Sequence, residues 1–187
     1  AQMNPHFIFN TLESFQMLAE LEGHRDLSDM MALFGKLVRY NLERAHIVPL
    51  RMEIENVTDY IAVQNLSWNN RIRLQVQCDP ALMERKVLRL MLQPVVENAI
   101  IHGMPSTGDL HIDVSIVRDE NGLRLRIEND GKGMTREEEE RLRLLLEEAR
   151  VSPVSSHVKS IALQNIQRRL IIHYGAGCLI HFGQQGE

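Results

Sequence analysis

The residues best suited to chemistry fall in three short stretches. The first is "AQMNPHFIFNTL", where His6 directly follows Pro5 and Asn10 comes four residues later. In a helix that spacing puts both side chains on one face. A neutral imidazole is a nucleophile, and a side chain receiving a phosphoryl group must stand exposed for in-line attack. Asn10, one turn on, can orient the ring or a water. The second stretch is "LQPVVENAIIHG", residues 92–103, which carries Glu97, Asn98 and His102 among apolar neighbours. Asn98 and His102 share a helical face. A carboxamide oxygen in a pocket is a hard ligand suited to Mg²⁺, whose other partners are waters and phosphate oxygens. The third is "ENDGKGM", residues 128–134. Here Asp130 ends a strand, and Gly131 and Gly133 let the backbone turn sharply. A carboxylate in that place can accept a hydrogen bond from an exocyclic amine.

These stretches need elements to hold them. Helical spacing is read over residues 4–22, with Asn4 as cap and Pro5 in the first turn. It recurs over 26–46 and, after Pro49, over 50–67. Two amphipathic arms cannot close a core, so a second copy is expected to complete a four-helix bundle. "RIRLQVQCD" alternates as a half-buried strand, and residues 83–103 read as helix. "LHIDVSIV" (110–117) and "LRLRIE" (123–128) alternate about a "DENG" hairpin turn. Residues 136–150 form a charged helix with a Thr135 cap, 160–174 another helix, and "CLIHF" a last strand. This order predicts an α+β sandwich with a mixed, mostly antiparallel sheet covered by helices. The expected division is 1–67 for the helical dimerisation and phosphoacceptor region and 68–187 for the catalytic domain.

Composition agrees with a buried core and narrows the classes. Of 187 residues, 44% are hydrophobic and the net charge is −4, so no nucleic-acid footprint is expected. Cys78 and Cys178 are isolated, with no disulfide framework. No apolar run reaches the ~20 residues of a membrane span. The chain enters an amphipathic pattern at once and reads as a fragment of something longer upstream.

The ENA helix, two alternating strands, the DGxG turn and the charged helix, in that order, resemble the ATP-binding domain of the GHKL superfamily, shared by histidine kinases, gyrase and MutL. With "QMNPHFIFNTL" and "LQPVVENAIIHG", the chain resembles the LytS-type sensor histidine kinases. The resemblance implies His6 as phosphoacceptor, Asn98 on Mg²⁺ and Asp130 on adenine, with Gly131 and Gly133 shaping the nucleotide loop. It places His102, Ser160, Leu163 and Asn165 among the residues around ATP. It implies a homodimer, a response regulator with a LytTR domain as partner, and the cytoplasmic portion of a membrane-anchored bacterial sensor.

Some positions depart from that pattern. Ile101 stands where the family has a Lys suited to a phosphate. "SIAL", residues 160–163, replaces a GxGL turn, with Ser160 and Ala162 for its glycines. The final strand after a "GT" is also missing. These departures bear on ATP rather than on fold. Three functions compete: a kinase that phosphorylates His6 from Mg-ATP, a degenerate kinase or dimeric interaction module with weak ATP binding, and an ATPase using Glu97 as base. The His6 motif argues against the third.

Overall fold

The computed structural model describes residues 5–120, 122–151 and 162–183. Asn4, the expected cap of the first helix, lies outside them, as does Ser160. The strand 110–117 becomes the centre of a three-stranded sheet. β2 (Ile72–Cys78) runs parallel to β4 (Leu110–Asp119), and β5 (Gly122–Asn129) returns antiparallel. Gly122, at φ +136°, takes the backbone through a turn that side chains resist. The period-2 pattern of β4 sends Leu110, Ile112, Val114 and Ile116 inward, all buried, while His111 and Asp113 stay exposed.

Two helices cover that face. Leu50, Val57 and Ile61 of α3 (Leu50–Ser67) and Val96 and Ile100 of α4 (Gln93–Gly103) share one apolar cluster with the sheet. Each such buried side chain contributes roughly 1.5–3 kcal/mol. A second cluster joins Leu142 and Leu146 of α5 (Arg136–Val151) to Leu163, Ile166 and Leu170 of α6 (Ala162–Tyr174) and to Leu88. Ahead of both lie α1 (Pro5–Leu21) and α2 (Arg25–Leu42), turned at Gly23 with φ +76°. The Arg39 guanidinium sits 4.8 Å from the centre of the Phe9 ring across this hairpin.

Four details differ from expectation. α2 stops at Leu42, because Glu43 adopts an extended ψ of 141°. The chain then forms the short β1 (Ile47–Pro49), paired antiparallel with β3 (Lys86–Leu88). Residues 83–103 are therefore not one helix. Leu90 takes φ +56° and α4 begins only at Gln93, with Pro94 in its first turn. Proline lacks an N–H and is tolerated there but not in a helix interior. The Leu and Met spacing upstream imitates a helix that Pro94 forbids. "CLIHF" forms no strand. Instead the buried Gln167 carboxamide donates to Cys178 O at 2.9 Å and accepts from Ile180 N at 2.6 Å. One side chain takes the place of a ladder partner. Finally, α3 shares its core with the sheet, so packing links residues 50–67 to the segment beyond 68.

Candidate functional site

His6 is exposed in the first turn of α1, and Asn10 Nδ2 lies 3.2 Å from its Nδ1. Rotating the Asn10 carboxamide by half a turn exchanges a donor for an acceptor toward that nitrogen. The pair expected from spacing is therefore formed. Around it the hairpin leaves Phe7, Phe15, Leu18 and Leu21 more than half exposed.

The second group of candidates gathers around α4. Gly103 ends the helix, and the loop after β5 closes on it. Lys132 N–H donates to Gly103 O at 2.9 Å. Glu97 and Asn98 are half-buried on the helix, and His102 and Ile101 are exposed. Asn98 makes no side-chain hydrogen bond among the described residues. Glu97 lies near the Tyr60 phenol, which burial first and the Glu97 charge second push up to about 12. Glu138 at the start of α5 is held below the usual carboxyl value, first by the Thr135 backbone N–H and hydroxyl and more weakly by the nearby His102 and Lys132. There Thr135 N–H and hydroxyl donate to Glu138 Oε2 at 2.8 and 2.9 Å, and Glu138 N–H donates to Thr135 Oγ1 at 3.3 Å. This is a reciprocal capping box, as the Thr135 cap anticipated. The helix C-terminus, the loop and the start of α5 thus line one face.

Asp130 was expected to turn toward a nucleobase, but its carboxylate has other partners. Oδ1 accepts from His111 N at 2.8 Å and Oδ2 lies 2.7 Å from His111 Nδ1. The His111 backbone N–H, foremost, holds its pKa below the usual carboxylate value. The polar side chain directed at α4 is Asn129, whose Oδ1 accepts from Gly131 N at 3.1 Å. A Cβ built on Gly103 would meet that oxygen at 2.8 Å. Successive residues at a strand end point to opposite faces, so 129 and 130 cannot both face α4. The sequence put Asp130 on the base; the structure pairs Asp130 with His111 and turns Asn129 toward α4.

The remaining candidates divide. Gly133 is exposed in the loop, and Asn165 is exposed on α6. Leu163 is 7% exposed inside the α5–α6 cluster, so it packs the wall behind the site. Ala162 is already a helical residue of α6, not part of a turn ahead of it. Among the described residues no three His, Cys, Asp or Glu side chains gather as a metal site. Asn98 fits Mg²⁺ only as one hard oxygen ligand beside phosphates and waters.

Residues 1–72 match the family model described as Histidine kinase, and residues 83–171 match Histidine kinase-, DNA gyrase B-, and HSP90-like ATPase. The chain carries a histidine kinase core. This kinase core is 30% identical over 99% of its length to an uncharacterized sensor-like histidine kinase of Staphylococcus epidermidis, covering 36% of that protein. It is 27% identical over 96% of its length to the sensor protein kinase HptS of Staphylococcus aureus, covering 34% of it. The chain thus spans about a third of the length of these curated relatives. The histidine kinase domain of the blue-light activated histidine kinase of Erythrobacter litoralis EL346 aligns with TM-score 0.44 and 15% identity, over 89% of this chain and 84% of that one. The second match spans residues 83–171, the segment that carries α4, β4, β5, α5 and α6, and implies ATP binding in that part of the kinase core. Among the described residues no helix is long and apolar enough to cross a membrane.

Proposed function

We propose that the chain is the catalytic portion of a LytS-type sensor kinase, which phosphorylates His6 from Mg-ATP and passes the phosphoryl group to an aspartate of a LytTR-type response regulator. The observation that carries this reading is the exposed His6 ring with Asn10 against its Nδ1 at the start of α1. Once the Asn10 carboxamide turns so that Oδ1 accepts from Nδ1–H, Nε2 carries the lone pair that attacks. The Nε2–P bond forms as the bond from the γ-phosphorus to its bridging oxygen breaks, and ADP leaves with that oxygen.

In this reading residues 1–67 supply the phosphoacceptor and dimerisation surface and residues 68–187 bind ATP, with α3 packed against the latter. The exposed Phe7, Phe15, Leu18 and Leu21 suit a second copy. The whole belongs to the cytoplasmic side of a membrane-anchored sensor. Asn98 and His102 face the phosphates, and Mg²⁺ at Asn98 would neutralise their charge. Glu97 is the base candidate. Gly131 and Gly133 shape the loop beside the base, while Asn165 borders the nucleotide from α6; Ser160, outside the described residues, stays a nucleotide candidate from the sequence alone. Asn129, directed at α4, presents an amide oxygen able to accept from the adenine amine. Asp130 reaches the base only by giving up His111.

Incubating the intact protein with γ-labelled ATP tests the reading. The label should be acid-labile and alkali-stable and disappear in His6→Gln; labelling that survives His6→Gln overturns it. For the base, Asn129→Ala should weaken adenosine more than Asp130→Ala does; the reverse order returns adenine to Asp130. The second reading, a dimeric interaction module with weak ATP binding, is favoured by one observation. Ile101 stands 64% exposed beside His102, apolar where a charge would meet phosphate.

A further inference from the structure

Glu53 lies on the buried stripe of α3 with Leu50, Val57 and Ile61, and it is 0% exposed. No Lys, Arg or His forms an ion pair with it among the described residues. Four neutral donors hold it instead. Oε1 accepts from the Tyr40 hydroxyl of α2 and from Leu90 N at 2.6 Å. Oε2 accepts from Met91 N at 2.8 Å and Leu92 N at 2.9 Å. Leu92 is the residue before α4, so the carboxylate sits at the positive end of the α4 dipole. On the other side of the same segment, Arg169 of α6 donates to Arg89 O and to Leu90 O, the latter at 3.3 Å. Arg89 in turn donates to the Tyr40 carbonyl.

The lead-in to α4 is therefore gripped through its N–H groups from α3 and through its carbonyls from α6. Leu90 at φ +56° is held in a region that a leucine adopts only under such constraint. Among the described residues α2 meets this grip through Tyr40, by its hydroxyl on Glu53 and its carbonyl under Arg89, and it meets α3 again through the Lys36–Asp59 ion pair at 2.9 Å. We propose that Glu53 is a positioning residue that couples the hairpin bearing His6 to the helix bearing Glu97 and Asn98, with Tyr40 as the hairpin's handle on it. The inference rests on the reading of α4 as the nucleotide helix. A shift of α2 that draws the Tyr40 hydroxyl away leaves a buried carboxylate short of one donor, and residues 90–92 must readjust to it. Such a coupling is reciprocal: nucleotide on α4 must be felt at the end of α2.

Amide hydrogen exchange on the intact protein tests this. In wild type, saturating Mg-ATP should slow exchange at Leu90–Leu92 and in the last turn of α2. In Tyr40→Phe the slowing at Leu90–Leu92 should persist, while that in α2 falls at least about threefold. Unchanged slowing in α2 of Tyr40→Phe, or none in a wild type that binds Mg-ATP, overturns the coupling. If wild type binds no Mg-ATP, the nucleotide reading fails, and the proposal is judged without nucleotide. There Glu53→Gln, whose amide confronts donors with a donor, should speed exchange at Leu90 and at the end of α2 together, with Val114 and Ile116 unchanged. Unaltered exchange at either place overturns it. If Glu53→Gln does not fold, Tyr40→Phe without nucleotide decides by the same comparison at the end of α2.

Discussion

Gly131 lies so close to the end of α4 that a Cβ on it would stand 2.1 Å from the Gly103 carbonyl oxygen. Backbone meets backbone there, so neither side can yield by turning a side chain. Gly131→Ala must therefore push the loop off α4 and break the bond from Lys132 N to Gly103 O. Overpacking of this kind costs about 3 kcal/mol. Gly35, inside α2, has nothing within 4 Å of its built Cβ, and Gly35→Ala should stabilise by about 0.5–1 kcal/mol through reduced backbone freedom. Urea unfolding midpoints check both; a Gly131→Ala protein as stable as wild type would remove the close approach.

The Asp130–His111 pair makes a pH prediction with a definite sign. Hydrogen bonds from His111 hold the Asp130 pKa below its ordinary value. A group depressed in the folded state contributes stability above the unfolded carboxylate value of about 3.9 and loses it as pH falls through the folded value. The Asp130 side chain is 54% exposed, so the contribution is at most about 1 kcal/mol. Wild type and Asp130→Asn should differ in stability near pH 6 and converge as pH falls below the lowered folded value of Asp130. A difference that is the same at both ends contradicts the assignment to this carboxylate.

Thr135 and Glu138 close the start of α5 by satisfying each other's backbone N–H. Thr135→Ala removes one of the two exchanges and should cost about 1 kcal/mol. The loss should fall on α5 first, seen as faster amide exchange over residues 136–139 with β4 unchanged. Equal exchange in the variant would mean the cap is idle.

Much of this was legible in the sequence. Period-2 alternation found β2, β4 and β5, and "TREEE" announced the capped helix. The alternation told inside from outside at Leu110 to Ile116 without error. What escaped were features fixed by partners far along the chain. β1 and β3 are three residues each and exist because each supplies the other's ladder. The "CLIHF" segment lacks such a partner and takes Gln167 instead. Glu53 was readable as a carboxylate on an apolar stripe at positions 50, 53, 57 and 61. Its partners, Tyr40 and the N–H groups of 90–92, share no local pattern with it. The opposite facings of Asn129 and Asp130 follow from the strand period, but which one meets α4 depends on where the sheet is covered.

Ile101 gives the final prediction, concerning phosphate binding. It follows Asn98 on α4 and precedes His102, and it is 64% exposed, so a lysine there would fit without disturbing the core. A charge-assisted hydrogen bond is worth roughly 1.5–3 kcal/mol when sheltered. At so exposed a position, water and salt reduce this toward 0.2–1 kcal/mol. The smaller figure governs, so Ile101→Lys should tighten Mg-ATP by about 1.4- to fivefold. ADP should gain less and adenosine nothing, because adenosine carries no phosphate. Ala162→Gly, at the first described residue of α6, should add little. Calorimetric titration of the three ligands against both variants separates these effects. Equal gains for ATP and adenosine would mean that Ile101 acts through packing and not through the absence of a charge.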